Sequence, residues 1–306
     1  MSPLVPSVVR RLVRSAIQKV SHIALGDLRA QLQDVSTQLA TVNRQLTEAL
    51  VLAQPKPHPS DPIPVPSPEL MLSVGHVSSF FTAGEVMVRD LKRIASLGPE
   101  DRILDVGCGI GRTARHIGPE LSANGLYCGF DIMERCVQWC QRYLGSRWPN
   151  FHFQHANIRN ATYNPTGLFE ARTFQFPYPD QTFTLVFLDS VFTHMLPDDV
   201  EHYLQEIRRV LVPGGRCLAS FFLINNEARE LMSQPGADFN FRHSGDRYFT
   251  PNPQRPEDAI AFDEALVRQM HARAGLKLVE PVHYGSWPGR KTNSGSMQDK
   301  VLSVRE

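Results

Sequence analysis

The sequence lacks any apolar run of the roughly 20 residues that a membrane-spanning helix needs. It also lacks an excess of charge of one sign, because 32 basic residues balance 31 acidic ones. Without a basic excess, a chain has no general electrostatic attraction for nucleic acid, so we expect no nucleic-acid partner. No continuous apolar core follows the basic residues near the start, which argues against a secretory signal.

Cysteine is scarce, odd in number and never spaced as CxxC. The five cysteines are Cys108, Cys128, Cys136, Cys140 and Cys217. They form neither a disulfide framework nor a recognisable zinc motif, so we expect buried reduced thiols, no bound metal and a cytoplasmic location. Cys136 and Cys140 lie one helical turn apart, so a metal pair there is the alternative.

Proline is abundant and clustered. Seven of the 23 prolines lie between Pro55 and Pro68. Proline removes an amide donor, fixes φ and restricts the residue before it, so neither a helix nor a central strand is expected there. We predict a semi-rigid polyproline II linker over residues 55–68, with an SH3-like docking site as the alternative. This linker would separate a helical segment, residues 1–54, from a larger domain, residues 69–306.

The segment before the linker carries a heptad repeat. Apolar residues recur in alternating steps of three and four from Leu25 to Ala49, with leucine at d and mostly valine at a. This pattern favours a parallel coiled coil, so we predict a homodimer through residues 25–53. A helix packed on its own domain is the alternative. Residues 4–24 would form a basic amphipathic helix that either rests on an anionic membrane surface or extends the coil.

Strands and helices alternate from about Gly75 onwards. The predicted strands are Ile103–Val106, Leu126–Phe130, Phe151–His155, Phe183–Leu188, Arg216–Phe222, Lys277–Val282 and Lys300–Val304. The predicted helices are one from the glycine-rich loop to about Leu121, then Glu134–Leu144, Asp198–Leu211 and Phe262–Ala274. Alternation over this length predicts an α/β fold with a parallel sheet covered on both faces.

A glycine-rich stretch follows the first predicted strand. Gly107, Gly109 and Gly111 come just after Asp105. Glycines there permit a tight turn and let a ligand lie against backbone amides at a helix N-terminus. Such a motif alone also suits nicotinamide and flavin cofactors. Asp131 ends the next predicted strand, where a carboxylate can accept from both hydroxyls of a ribose.

Taken with further motifs, this stretch resembles the class I S-adenosylmethionine-dependent methyltransferases over residues 75–306. The further motifs are Gly129-Phe130-Asp131, His155-Ala156-Asn157-Ile158, the stretches 176–183 and 188–195, and the stretch 209–215. The resemblance implies a doubly wound, seven-stranded Rossmann-like sheet whose last strand is antiparallel. It also implies S-adenosylmethionine as the cofactor.

The resemblance implies three groups of cofactor-binding residues. The methionine end would lie along Asp105, Gly107, Gly109 and Gly111. The nucleoside would lie against Asp131, Ile132 and Asn157, where many relatives have aspartate at the last position. The sulfonium would lie above Asp189 and Ser190.

A hydroxyl acceptor must lose its proton, so a general base helps. His194, just past the fourth predicted strand, is the best-placed candidate, and His243 and His283 are the alternatives. The latter two lie in aromatic-rich loops, 224–261 and 283–290, that we interpret as an acceptor lid suited to a polyhydroxylated ligand. We therefore predict O-methylation of a sugar hydroxyl on a glycan or glycosylated metabolite. A small metabolite or lipid acceptor, and a non-catalytic scaffold, are the alternatives.

Overall fold

The computed structural model describes residues 62–75, 77–234, 237–292 and 295–306. The chain divides into two compact units, Met1–Lys56 and Pro57–Glu306, and all the described strands and helices belong to the second. The predicted coiled coil, its homodimer contact and the basic helix of residues 4–24 lie outside the described residues. Of the predicted linker, residues 62–67 form neither helix nor strand. The described part of the chain contains no helix that is long and apolar enough to span a membrane.

Seven strands form the main sheet. They are β1 Arg102–Val106, β2 Leu126–Asp131, β3 Phe151–His155, β4 Phe183–Leu188, β5 Leu211–Phe221, β6 Leu276–His283 and β7 Asp299–Arg305. Their order across the sheet is β6-β7-β5-β4-β1-β2-β3. Strands β1 to β5 run parallel, and β7 pairs antiparallel with both β5 and β6. The predicted seven-stranded sheet with an antiparallel last strand is confirmed.

Seven α-helices accompany these strands among the described residues. They are α1 Pro68–Leu72, α2 Phe80–Ala95, α3 Ala114–Ile117, α4 Glu134–Arg147, α5 Pro197–Val210, α6 Asn226–Met232 and α7 Glu264–Arg273. The helix predicted after the glycine loop ends at Ile117, with Gly118 as its C-cap, and not at Leu121. The reason is Pro119, which has no amide donor with which to continue the helix.

Helices cover both faces of the sheet, and the alternation along β4 shows it most directly. Leu185 and Phe187 belong to a core that contains α2 and α4, whereas Val186 and Leu188 belong to the core that contains α5 and α7. All four side chains are fully buried. A strand buried on both faces reads as a continuous apolar run, which is why the sequence predicted its bounds correctly.

The start of β5 differs from the prediction. The sequence predicted a turn at residues 213–215 that leads into a strand from Arg216. Instead Leu211 already pairs with Phe183, and the register then shifts so that Arg216 pairs with Leu185. The residues between them form an irregularity inside the strand, with Gly214 at φ +75°. A bulge accommodates extra residues without ending the strand.

A third, smaller core contains aromatic side chains from the two loops that we interpreted as an acceptor lid. Phe222, Phe241 and Trp287 are buried against one another, with ring centroids 5.1 to 5.5 Å apart. The Trp287 indole N–H donates to Asp299 at 2.8 Å. The interpretation that these aromatics face an acceptor is therefore wrong for Phe241 and Trp287, because they pack on each other.

Candidate active site

A cavity opens at the carboxyl ends of β1, β2 and β4, where ligands bind in open α/β sheets. Its volume is about 1070 Å³, including the space at its mouth. One part is lined by the glycine loop together with Asp131 and Ile132. Another part is lined by Asn160, Tyr163, Asp189, Ser190, His194, Asp199, Tyr203 and Glu257. The cavity therefore brings the glycine loop and Asp131 together with polar side chains that lie beyond the end of β4.

The glycine loop on the cavity wall has a conformation that requires glycine. Gly107, Gly109 and Gly111 have φ values of +78°, +51° and +71°. A Cβ on Gly107 would lie 2.4 Å from Val191 Cγ2, and one on Gly109 would lie 2.9 Å from Val74 Cγ1. Side chains at these positions would be strained and would collide with their neighbours.

Asp131 is held by the backbone at the end of β2. Its Oδ2 accepts from the Gly109 N–H at 2.7 Å, and its Oδ1 accepts from the Met133 N–H at 2.8 Å. Burial raises the pKa of Asp131, while these two bonds act against the rise. A carboxylate has about four acceptor sites, so two remain for ribose hydroxyls. The residue therefore fits the expected ribose contact, and Ile132 beside it lines the same cavity.

Asp105 lies on the cavity wall at the end of β1, and the pKa of its carboxyl group is raised. It is 2% exposed and accepts a hydrogen bond from the Tyr127 hydroxyl. Burial raises the pKa of Asp105 to about 8, and the nearby carboxylates of Asp189 and Asp131 add to the rise, while the Tyr127 bond opposes it. Near neutral pH this side chain is mostly uncharged.

Asp189 at the end of β4 is charged and doubly paired. Lys300 Nζ donates to Oδ1 at 2.8 Å, and Arg112 Nη2 donates to Oδ2 at 2.9 Å. Burial favours the neutral form, but the two cations outweigh it and hold the pKa of Asp189 at about 2. Neither cation was predicted from the sequence. Arg112 directly follows Gly111 and could have been found there, whereas nothing near Lys300 in the sequence marks it.

Ser190 follows Asp189 in a left-handed conformation with φ +67°, which is unusual for a residue with a side chain. Its N–H donates to Ser220 Oγ at 2.7 Å, and its Oγ accepts from Gln298 Nε2 at 2.8 Å. Bonds from β5 and from the residue before β7 thus hold this turn in place on the cavity wall.

Asn157 lies outside the set of described residues that line the cavity. Its Oδ1 accepts from Asn164 Nδ2 at 3.2 Å, and its backbone carbonyl accepts from Leu168 and Phe169. The loop that it begins does reach the cavity, through Ile158, Arg159, Asn160 and Tyr163. Asn157, the residue expected to contact adenine, therefore does not line the cavity, whereas residues that follow it do.

His194 lies on the cavity wall with a defined tautomer. Its Nδ1 lies 2.9 Å from the Glu257 carbonyl oxygen, which can only accept, so Nδ1 carries the proton. Nε2 is then the basic nitrogen, 3.5 Å from the Tyr163 hydroxyl. Burial lowers the pKa of His194, against smaller opposing effects of Glu257 and Asp258. A neutral imidazole with one bound N–H and one lone pair is suited to accept a proton.

The other two candidate histidines lie elsewhere. His243 is exposed in a short hairpin, paired with Thr250. His283 ends β6, where burial and the charge of Arg93 lower its pKa. His194 is the one histidine among the described residues that line the cavity. Across the residues that the structure places, no three His, Cys, Asp or Glu side chains gather as a metal site would require.

Comparison with known proteins agrees with this geometry. Residues 104–219, which run from the glycine loop into β5, match a family model described as "Methyltransferase domain". Residues 104–219 are therefore similar to a methyltransferase domain, in agreement with the resemblance to the class I S-adenosylmethionine-dependent methyltransferases. The resemblance stated from the motifs is thereby confirmed, and so is S-adenosylmethionine as the cofactor of this methyltransferase domain.

The proteins similar to this chain include one curated relative and two solved structures. The chain is 33% identical over 156 residues to 27-O-demethylrifamycin SV methyltransferase of Amycolatopsis mediterranei, a match that covers 48% of this chain and 49% of the relative. The chain thus spans about half the length of that curated relative. Among solved structures, a SAM-dependent methyltransferase from Aquifex aeolicus has 17% identity and a TM-score of 0.49, over 79% of this chain and all of the other.

A second solved structure is 1,6-didemethyltoxoflavin-N1-methyltransferase from Burkholderia thailandensis, determined with 1,6-didemethyltoxoflavin and S-adenosylhomocysteine bound. It has 19% identity and a TM-score of 0.47, over 80% of this chain and 93% of the other.

Proposed function

We propose that this protein is an O-methyltransferase that acts on a hydroxyl group of a sugar, carried by a glycan or a glycosylated metabolite. The observation that carries the proposal is the state of His194. Its Nδ1 lies 2.9 Å from the Glu257 carbonyl oxygen, burial lowers its pKa, and its ring lines the same cavity as the glycine loop and Asp131.

The cofactor site follows from the residues on the cavity wall. Asp131 would accept from the ribose hydroxyls, and Ile132 would cover one face of the adenine. The methionine part would lie along the glycine loop, near Arg112. Arg112 lines this part of the cavity, and the buried Lys300 binds the other oxygen of Asp189, so two cations share one carboxylate and would suit the methionine carboxylate. When bound, S-adenosylmethionine supplies an electrophilic methyl group on a positively charged sulfur.

His194 is the proposed base. With the cofactor bound, Nε2 would take the proton that the acceptor hydroxyl must lose when its oxygen receives the methyl group. The imidazole would then carry the positive charge, which the Glu257 carbonyl and the nearby Asp258 carboxylate would stabilise. The imidazolium then releases its proton to solvent. The cavity walls align the reacting atoms and exclude water.

Polar side chains at the His194 end of the cavity support a hydroxylated acceptor. Tyr163, Asp199 and Glu257 line this end with hydrogen-bonding groups. A small metabolite is the second candidate acceptor, and a specific observation favours it, because the relative from Amycolatopsis mediterranei is named for methylation of a rifamycin oxygen. Both candidates share the same chemistry at the oxygen.

Substitution of His194 tests the proposal. With labelled S-adenosylmethionine and a panel of glycans, glycosylated metabolites, small aglycones and lipids, we expect transfer to a glycosylated acceptor. His194→Gln should lower turnover by about 100-fold or more, while calorimetry shows cofactor affinity within about twofold of the original. His152→Gln, on the exposed side of β3, is the matched control. Unchanged turnover in His194→Gln, with loss in His243→Gln or His283→Gln, would move the base to one of those residues.

We also propose that the chain forms a homodimer through residues 25–53. The support is the heptad repeat of leucine and valine in the sequence. Light scattering of the full chain should give the mass of a dimer, and Leu32→Glu with Leu39→Glu should convert it to a monomer. A monomeric parent chain would refute this part of the proposal.

A further inference from the structure

Asn160 is a buried hydrogen-bonding centre beside His194. It is 9% exposed, and its Oδ1 accepts from the backbone N–H groups of Thr162 at 3.1 Å and Tyr163 at 3.0 Å. Its Nδ2 donates to the His194 carbonyl at 3.2 Å and to Glu257 Oε1 at 3.1 Å. The two N–H donors and two acceptor sites of the amide are thus all used. The partners also fix which amide atom is oxygen, because backbone N–H groups can only donate.

Glu257 is bound at both its side chain and its backbone. Its Oε1 accepts from Asn160, and its Oε2 accepts from the Ala161 N–H at 3.0 Å. Its backbone carbonyl accepts from His194 Nδ1 at 2.9 Å. One residue therefore connects the loop that carries Tyr163 to the imidazole. The backbone bond to His194 depends on where the carboxylate holds the short 3₁₀ helix Pro256–Asp258.

Neighbouring bonds fasten the same three segments. Thr162 Oγ1 donates to Asp258 Oδ1 at 2.7 Å, and the Ile260 N–H donates to the Thr193 carbonyl at 2.7 Å. These bonds keep the segments together but touch neither ring nitrogen of His194. The bonds of Asn160 and Glu257 differ. The Glu257 carbonyl binds the ring Nδ1 of His194, and Asn160 binds the His194 carbonyl and the N–H of Tyr163, the residue whose hydroxyl lies 3.5 Å from Nε2.

We infer that Asn160 and Glu257 form a positioning pair that holds His194 in the Nδ1–H tautomer and directs Nε2 into the cavity. The catalytic meaning of the pair rests on the proposed function. The pair acts through His194, and neither member is assigned a contact with the cofactor or the reacting oxygen. Misplacement of a catalytic group by about 1 Å can cost about 100-fold in rate, so a loosened pair has a measurable effect.

The amide of Asn160 and the carboxylate of Glu257 can be swapped by two substitutions, which tests the bond between them. Asn160→Asp replaces the donating Nδ2 with an oxygen that faces Glu257 Oε1 and the His194 carbonyl, so three acceptors repel one another. Adding Glu257→Gln restores the bond in the opposite direction, because the glutamine Nε2 can donate to the introduced carboxylate while its Oε1 still accepts from the Ala161 N–H. The double variant should therefore have a higher kcat than Asn160→Asp alone.

The experiment uses the full chain with S-adenosylmethionine and the acceptor found in the panel. We expect Asn160→Asp to lower kcat by about 10- to 100-fold, with the cofactor Kd changed by less than about twofold. The double variant, Asn160→Asp with Glu257→Gln, should have a kcat at least about tenfold higher than that of Asn160→Asp alone. The matched control is Asn124→Asp, at an exposed pair where Asn124 Nδ2 donates to Glu100 Oε1 at 3.3 Å, and it should leave kcat unchanged.

A second readout needs no turnover. The ¹⁵N shifts of the His194 imidazole, recorded without acceptor, should show the Nδ1–H tautomer in the parent chain and a mixture or an inverted tautomer in Asn160→Asp and in Glu257→Gln. Glu257→Gln keeps the shape of the side chain, so it serves if Asn160→Asp does not fold. An unchanged tautomer in the folded variants, or a double variant no better than the single one, would overturn the pair. If His194→Gln keeps full turnover, the proposed base fails, whereas the imidazole spectra still decide whether the pair positions the ring.

Discussion

Lys300 Nζ donates to Asp189 Oδ1 across 2.8 Å, and this bond joins strand β7 to the end of strand β4, where Asp189 lines the cavity. The lysine side chain is 5% exposed and also lies 3.5 Å from Met87 Sδ. Arg112 donates to the other oxygen of Asp189 and to the Val74 carbonyl. The carboxylate at the end of β4 thus binds one cation that follows the glycine loop and one cation in β7.

Loss of the lysine should destabilise the protein strongly. Lys300→Met removes one cation from a mostly buried carboxylate, which costs about 3–5 kcal/mol when a buried pair is broken. We expect this loss in the free energy of unfolding measured by urea titration. Lys277→Met is the matched control, since its side chain is 71% exposed and lies 3.6 Å from Glu306, and it should cost less than about 1 kcal/mol. Equal losses in the two variants would show that the Lys300 pair does not stabilise the fold.

Asp105 should make the stability of the cofactor-free protein depend on pH. Its pKa is about 8 in the folded chain against an ordinary value of 3.8, so its contribution is complete below about pH 4 and is lost as the pH rises towards 8. Asp105→Asn removes this titration and keeps an oxygen for the Tyr127 hydroxyl. We expect the melting temperature of the variant, relative to the parent chain, to rise between pH 5 and pH 8 in calorimetry. Parallel curves for the two proteins would contradict the assignment.

Gly111 offers a test of packing in the glycine loop. A Cβ there would lie 2.4 Å from Leu144 Cδ1 and 3.0 Å from Cys140 Sγ, in a residue with φ +71°. Gly214 has φ +75° with nothing within 4 Å of its Cβ position, so Gly214→Ala has the backbone penalty without the collision. We expect about 1–2 kcal/mol loss for Gly214→Ala and a further 1–3 kcal/mol or so for Gly111→Ala. Unfolding titrations measure the loss in the free energy of unfolding for both variants. Equal losses would mean that the side chains around Gly111 move aside to make room for the Cβ.

Asp131 should dominate the affinity for the cofactor. Asp131→Ala removes a charged acceptor for two hydroxyl groups, each worth about 1.5–3 kcal/mol. We therefore expect the Kd for S-adenosylmethionine to rise by about 100-fold or more in calorimetry. The control is Asp238→Ala, at a position outside the set of cavity-lining residues. A similar Kd in Asp131→Ala and the parent chain would remove the ribose role from this residue.

Local patterns in the sequence predicted most of the sheet. The run Phe183–Leu188 is apolar almost throughout because both its faces are covered, and Phe151–His155 alternates because β3 lies at an edge. Helix α2 was missed, although Phe80, Met87, Leu91 and Ile94 recur at helical spacing and are all buried. That signal was present and could have been used.

The candidate site was predictable where its residues lie next to strand ends. His194, Asp131 and Asp189 were found because each follows or ends a strand whose carboxyl end points to the cavity. Their partners were not found, because Glu257 and Lys300 come from segments brought there by tertiary folding. Sequence spacing cannot indicate a contact between residues 63 or 111 positions apart along the chain.

The place of β7 in the sheet also has a consequence for folding. Strand β6 comes before β7 in the chain, yet β7 is the strand that joins it to β5. Until β7 pairs, β5 presents an open edge and β6 has no neighbour in the sheet. Open edges of this kind can pair with other chains, so a folding intermediate without β7 in place is exposed to wrong pairing. Pairing of β7 closes the edge and also brings Lys300 to Asp189.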